Sequence, residues 1–280
     1  MSTETNTDPH DGLRSAIAGA VASDRLLIAL DFDGTLAPLE DEPMDARMLP
    51  AAREAVEAAV GAPDTVVALV SGRSLSDLRV IAEHRDDSPL LLAGSHGAEF
   101  WIPGEGVVTH DEDPADAALR DELRTHAEQA TADLDGVWIE PKRFGFGVHT
   151  RKSTAADAAE ANLRVDALVS AEAPHWRRRT GHNIVEYAFR HEGKDSAVAE
   201  LRARTGASAV LFAGDDVTDE DALKSLGATD LGVHVGSRPT AATLTVADIP
   251  AMAELLAVIA AERSAAREEN PSGERPAARQ

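Results

Sequence analysis

The chain has 280 residues, 43% of them hydrophobic, enough to bury a substantial core in one large domain or two smaller ones. Its 49 acidic residues against 27 basic give a formal net charge of −22, a field that repels nucleic-acid backbones and anionic lipid and argues against either as a partner. There is no cysteine, which excludes disulfides and thiolate metal sites, and no apolar run approaches the ~18 residues needed to span a bilayer.

Lysine occurs only at Lys142, Lys152, Lys194 and Lys224, while alanine is abundant. Together with the acidity, this fits a proteome adapted to high salt, where self-repulsion is screened. Met1 to Asp11 is polar and acidic, with neither the basic start nor the apolar core of a secretory signal, so a cytoplasmic location is expected.

Residues 1–10 are expected to be disordered, and Leu13, Ile17, Ala20 and Val21 place a short helix over Asp11 to Ser23. Leu26 to Leu30 is an uninterrupted apolar run that reads as a strand covered on both faces, as in a parallel sheet. It ends on Asp31 and Asp33, two positions apart and therefore on the same side of the strand. Burying two anions that close is costly unless a cation or a shared proton offsets their repulsion. Gly34 permits a sharp turn and close backbone approach, and Thr35 offers a hydroxyl and an N–H. Ligand crevices in open α/β sheets lie at the carboxyl ends of strands, and hard oxygen donors suit Mg²⁺, which also binds phosphate. A strand running into a solvated acidic turn is the plain alternative.

Pro50 opens a helix to about Val60, and Thr65 to Val70 is a second strand, ending in Ser71-Gly72-Arg73. The Ser71 hydroxyl can hold phosphate without adding charge, although the same tripeptide is also an ordinary strand-to-helix turn. A helix follows from Ser74, then a third short strand from Leu90 to Ala93. In Gly94-Ser95-His96-Gly97-Ala98-Glu99 the glycines allow close approach, and His96 either donates to a ligand or packs in the core. No element is assigned from there to Asp113.

The pattern changes over 113–186. A helix from Pro114 to about Leu134 precedes strands Val137–Glu140 and Phe144–Thr150. A second helix, Thr154 to Val169, precedes His175–Thr180 and Asn183–Ala188, turned at Gly181-His182. This helix–hairpin–helix–hairpin block reads as a separate α+β unit inserted into the α/β core. Arg177-Arg178-Arg179 lies on an alternating strand and reads as surface charge. The core resumes over 187–262, with a helix from Lys194 to about Thr205 and a strand Ala209–Ala213 leading into Gly214-Asp215-Asp216-Val217-Thr218-Asp219-Glu220. Strands Leu231–Val235 and Thr243–Val246 follow, then a helix from Pro250 to Glu262. Residues 263–280 are expected to be a disordered tail.

Four pieces therefore stand at core strand ends or beside them, in chain order: Asp31 with Asp33, Ser71, Lys194, and Asp215 with Asp216. In that order they resemble the four motifs of the haloacid dehalogenase superfamily of phosphohydrolases. The strings Asp-Phe-Asp-Gly-Thr-Leu-Ala-Pro, Ser-Gly-Arg, Gly-Ser-His-Gly-Ala-Glu and Gly-Asp-Asp-Val-Thr-Asp-Glu narrow the likeness. From about Leu26 to Asp248 the chain is similar to trehalose-6-phosphate phosphatases.

The resemblance implies a Rossmann-like α/β core, residues 1–112 and 187–262, with 113–186 as a smaller α+β cap domain. It implies Asp31 as nucleophile, Asp33 as general acid/base, and Lys194 neutralising phosphate charge and orienting Asp31. Thr35, Ser71, Gly72 and Lys194 would hold the phosphate, and Asp31, Asp33 through its backbone carbonyl, Asp215 and Asp216 a Mg²⁺ ion. The sugar would be read by Glu140, Lys142 and Glu186 of the cap, with His96 and Arg151. The implied protein is a monomeric phosphoric monoester hydrolase that releases phosphate from trehalose 6-phosphate in trehalose biosynthesis. Two readings stay beside it: a related phosphatase for sucrose-, glucosylglycerol- or mannosylglycerate-type phosphates, and a phosphate- or metal-binding protein without turnover. One residue departs from the family pattern, Asp195 in place of the glycine that usually follows the motif lysine, and it is expected to cap the next helix.

Overall fold

The computed structural model describes residues 9–109, 113–181 and 183–269. The first stretch runs α1 (Pro9–Val21), β1 (Leu26–Leu30), α2 (Pro50–Gly61), β2 (Thr65–Val70), α3 (Leu75–Ile81), β3 (Leu91–Gly94), β4 (Glu99–Ile102) and β5 (Gly106–Thr109). The middle stretch is α4 (Pro114–Thr131), β6 (Trp138–Lys142), β7 (Gly145–His149), α5 (Ala155–Glu172), β8 (Arg177–Gly181) and β9 (Ile184–Ala188). The last is α6 (Lys194–Thr205), β10 (Ala209–Gly214), α7 (Glu220–Ser225), β11 (Leu231–Val235), β12 (Leu244–Val246) and α8 (Ile249–Glu269).

Helix ends follow their local chemistry. Pro50 supplies the fixed φ of α2's first turn, and the hydroxyls of Ser74 and Thr154 each accept an N–H three residues on, both at 3.1 Å. Gly206, at φ +65°, closes α6 in the left-handed region.

The larger sheet has eight strands in the order β12-β11-β10-β1-β2-β3-β4-β5, parallel from β12 to β3. β1 sits in the middle, buried along its whole length, and its side chains alternate between two cores. Leu26, Ile28 and Leu30 pack with residues of α1, α2, α3 and α8, while Leu27 and Ala29 pack with residues of α6 and α7. Being covered on both faces is why this strand is apolar without interruption. At the sheet's end, β4 and β5 run antiparallel. These two strands are a correction to the sequence reading, which assigned no element there. They are only four residues each and are separated by a turn, so no periodicity develops.

The smaller sheet is antiparallel, β6-β7-β9-β8, with α4 and α5 against one face. Phe146, Val148, Val185 and Tyr187 pack there on Leu123, Ala127, Ala161 and Val165. β9 continues past Glu186 to Ala188.

The C-terminal end is also corrected. α8 runs on to Glu269, and Arg263, expected in a frayed tail, is 5% exposed. It donates to the carbonyls of Ala20, Val21, Pro63 and Asp64 and to the Thr65 hydroxyl, between 2.7 and 3.3 Å. Pro9 and His10, expected to be disordered, belong to α1. The rest of the expected N-terminal disorder, the tail beyond residue 269 and the His182 turn position lie outside the described residues. Among the described residues no helix is long and apolar enough to cross a membrane.

Candidate active site

The turn after β1 is tight. Gly34 N–H donates to the Ala37 carbonyl at 2.7 Å, and Leu36 and Ala37 both donate back to the Phe32 carbonyl. Gly34 has φ +80°, and a Cβ there would lie 2.1 Å from Asp215 Oδ2. Only glycine lets the β1 turn press against the end of β10, and that contact brings Asp31 and Asp215 together. At the end of β10 a Cβ on Gly214 would fall 2.2 Å from Asp219 Cγ, so this glycine makes room for a second carboxylate.

Lys194, the first residue of α6 and 3% exposed, reaches into this corner. Its Nζ lies 2.6 Å from Asp31 Oδ1 and 2.6 Å from Asp219 Oδ1. Asp219 is wholly buried, and its other oxygen accepts the N–H groups of Asp215 and Asp216 at 3.1 and 3.0 Å. One ammonium thus faces three carboxylates, and acidities follow that imbalance. Burial pushes the Asp31 carboxyl well above its usual range against the pull of Lys194, with Asp219 and Asp215 adding to the rise. Asp215 is pushed up to about 7 by burial and then by Asp219. Lys194 is driven the other way: burial disfavours its charge, but Asp219 and Asp31 outweigh it and hold the ammonium firmly protonated.

Oxygens of Asp31, Asp215 and Asp219 lie within 4.8 Å of one another. The surplus negative charge and the all-oxygen donor set fit a hard divalent cation. Asp219 is already engaged by Lys194 and two backbone amides, which leaves Asp31 and Asp215 the freer donors. The Asp33 carboxylate is held by Arg73 Nε and Nη2, which bears on its side chain and not on its backbone carbonyl, and Asp216 is held by Arg238 at 2.9 Å.

Ser71 and Gly72, at the end of β2, face the same space. The Ser71 hydroxyl accepts Arg73 N–H at 3.1 Å, and a Cβ on Gly72 would meet the His96 ring at 2.7 Å. Thr35 is fully buried, its hydroxyl lies outside the cavity wall, and it has no hydrogen-bond partner. Asp195 does not cap α6. Gly193 occupies that position, and the Ser196 hydroxyl takes the Gly193 N–H at 2.9 Å.

The opposite wall comes from the smaller sheet. Glu140, Gly147 and Glu186 are register partners across β6, β7 and β9. With no side chain at Gly147, Lys142 folds over it, its Cε 3.3 Å from where a Cβ would be, and reaches both acids. Lys142 pairs with Glu186 and lies 3.5 Å from Glu140. Glu140 also takes a bond from His149 at 2.7 Å, and the His149 ring stacks on Trp138 at 4.4 Å. His96 Nε2 donates to Glu186 at 2.8 Å, joining this wall to the core. Ser95 and His96 adopt φ +50° and +57°, a strained left-handed pair that aims the imidazole inward. Burial lowers the His96 pKa and keeps the ring neutral, while Glu186, although buried, is held well below the usual carboxylate range by Lys142 and His96. Arg151 lines the rim and donates to the Glu40 carbonyl.

Between the walls lies a cavity of about 230 Å³. Of the residues singled out by sequence, Asp31, Asp33, Ser71, Gly72, His96, Glu140, Lys142, Arg151, Glu186, Lys194, Asp215 and Asp216 line it, and Thr35 does not. Sequence reasoning missed Asp219 and Arg73. Asp219 sat in an acidic run and, lying one helical turn after Asp215, was a candidate to bond back to its amide. Arg73 adjoined a recognised turn.

A parallel sheet with this acidic corner, overlaid by a small antiparallel layer, has the haloacid dehalogenase fold. The structure superposes on the C. albicans trehalose-6-phosphate phosphatase C-terminal domain with a TM-score of 0.75 at 18% identity, over 89% of this chain and 96% of that one. It superposes on BT4131, described as a subclass IIB sugar phosphatase of that superfamily, with a TM-score of 0.55 at 18% identity, over 82% and 96%.

Within that fold, the chain belongs to the trehalose-phosphatase family, whose profile matches residues 29–249. A trehalose-phosphate phosphatase of Mycobacterium tuberculosis is 31% identical over 250 residues, 84% of this chain and 61% of that protein. An uncharacterized glycosyl hydrolase of the same species is 34% identical over 237 residues, 78% of this chain and 17% of that protein. The chain therefore spans less than two thirds of the length of either relative.

Proposed function

We propose that the protein is a Mg²⁺-dependent phosphatase that hydrolyses trehalose 6-phosphate to trehalose and phosphate. The observation that carries this reading is that a single cavity has two chemically distinct walls. One is the Asp31–Lys194–Asp215 corner at the sheet's end, and the other is the hydroxyl-matching group Glu140–Lys142–Glu186. Residues 113–186 would then act as the cap that brings the sugar-reading wall over the chemistry. One chain supplies both walls, so the reaction needs no partner subunit.

Asp31 attacks phosphorus, the bond from phosphorus to the sugar oxygen breaks, and an aspartyl-phosphate forms. Asp33, once protonated and free of Arg73, gives its proton to the departing sugar oxygen and then takes one from the water that cleaves the aspartyl-phosphate. Lys194 holds Asp31 in place and balances phosphoryl charge, and Ser71 donates a hydrogen bond to a phosphoryl oxygen. A Mg²⁺ ion held by Asp31 and Asp215 would screen the anionic nucleophile from the anionic phosphoryl group. Glu140, Lys142 and Glu186 pair with sugar hydroxyls, and neutral His96 steadies Glu186.

The test is phosphate release from trehalose 6-phosphate, sucrose 6-phosphate and glucosylglycerol phosphate, with and without Mg²⁺. Release that prefers trehalose 6-phosphate, needs the ion, and disappears in Asp33→Asn is expected. Equal release from all three would reject the substrate assignment, and undiminished release by Asp33→Asn would reject that residue's role.

A further inference from the structure

The alternating strand predicts surface charge for Arg177-Arg178-Arg179, and the structure divides the three. Arg178 is exposed and turns to Asp166. Arg177 and Arg179 turn instead toward the core, beside the start of α6. Arg177 donates to the His191 carbonyl and pairs with Asp221 at 2.9 Å. Arg179 is half-buried and donates to the Glu192 carbonyl. Among the described residues it has no carboxylate partner. Glu186, its register neighbour on β9, is taken by Lys142 and His96, and the Glu192 carboxylate pairs with Arg190. Glu186, Asp221 and Glu192 are near enough to favour its charge, but no ion pair among the described residues takes its fork. Burial, with Arg177 adding to it, outweighs those carboxylates and lowers the Arg179 pKa to about 10.

These arginines line a separate cavity of about 160 Å³. It shares His96, Lys194 and Thr218 with the main cavity, so the two meet on either side of Lys194. Their charge differs. The main cavity carries seven carboxylates against Arg73, Lys142, Arg151, Lys194 and Arg238, whereas the smaller one carries Arg177, Arg178, Arg179 and Lys194 against the single acid Asp221. A phosphate dianion freed at Asp31 is repelled by the first wall and drawn to the second. A guanidinium with open donors matches two phosphate oxygens at once.

We propose that this cavity is a second anion site, taking inorganic phosphate as it leaves the reaction centre while the sugar departs by the acidic side. The assignment rests on the phosphatase reading. Its test does not require turnover of any sugar phosphate, so the two can fail separately.

Isothermal titration of the Mg²⁺-loaded full-length protein with inorganic phosphate is expected to show two phosphates per chain. Arg179→Gln is expected to show one, and Arg179→Lys two, with the weaker site loosened about tenfold by loss of the fork. A single phosphate on the unaltered protein overturns the proposal whatever the variants do, and so does Arg179→Gln still taking two. If two phosphates bind but trehalose 6-phosphate is not hydrolysed, the substrate reading fails and the anion site stands.

Discussion

Arg73 Nε and Nη2 each lie 2.6 Å from a different oxygen of Asp33, a two-pronged pair at the mouth of the cavity. A carboxylate held this way is an anion with both oxygens occupied and has no proton to give. Arg73 must therefore release Asp33 during turnover, and the phosphoryl group arriving beside Ser71 offers it another anion. Arg73→Met is expected to lower kcat/KM about 10- to 100-fold, mostly through KM, and Arg73→Lys to recover only part, because an ammonium lacks the fork. Steady-state kinetics on trehalose 6-phosphate checks this, and an unchanged KM in Arg73→Met would contradict it.

Lys194 depends on Asp219 as much as on Asp31. Asp219→Asn keeps the size of the side chain, and so the room Gly214 leaves for it, but removes one of the two anions at the ammonium. The lysine then follows Asp31 alone and its placement loosens. A fall in kcat of about 100-fold is expected, comparable to losing one pre-organised donor in other enzymes. Single-turnover phosphate release with an unchanged circular dichroism spectrum separates this from unfolding.

The acidic corner links stability to pH and to metal. Asp215, pushed up to about 7 against an ordinary value of 3.8, binds its proton more tightly folded than unfolded. Its contribution is fully present below about pH 4 and is lost as pH rises through about 7 in the metal-free protein. A divalent cation competes with that proton, so the rise in Tm on adding Mg²⁺ should be small at pH 5.5 and larger at pH 8. Thermal scans at both pH values check it, and an equal Mg²⁺ shift at both would show that the corner does not hold the ion.

Arg263 joins α1, the loop before β2, and α8 through backbone carbonyls at the end of the sheet away from the cavity. Arg263→Met leaves several of those carbonyls unpaired in a buried place, at a cost of roughly 3 kcal/mol. Chemical denaturation should show the loss, with kcat unaltered in protein that remains folded.

The net charge of −22 implies self-repulsion that salt screens. Tm is expected to rise from low to molar NaCl, and a Tm indifferent to salt would count against salt adaptation.

The positions of Asp31, Ser71, Lys194 and Asp215 could be read in advance because each follows a strand or opens a helix whose apolar run is written locally. Glu140 and Lys142 could be placed on one face of a strand for the same reason of period. The Arg73–Asp33 pair spans 40 positions and Lys194–Asp219 spans 25, separations at which no periodicity links one residue to the other. The short strands β4 and β5 are held by pairing, β4 to β3 and β5 to β4, and at four residues each they are too short to show a period. Arg263 looks like any charged residue near a chain end until the carbonyls of distant loops converge on it. The order of the elements and the residues at the carboxyl ends of the strands are written in the chain, since both follow from local patterns of apolar and turn-forming residues. Which charge meets which is settled by folding, because ion pairs form between side chains that the packing of the sheets brings together.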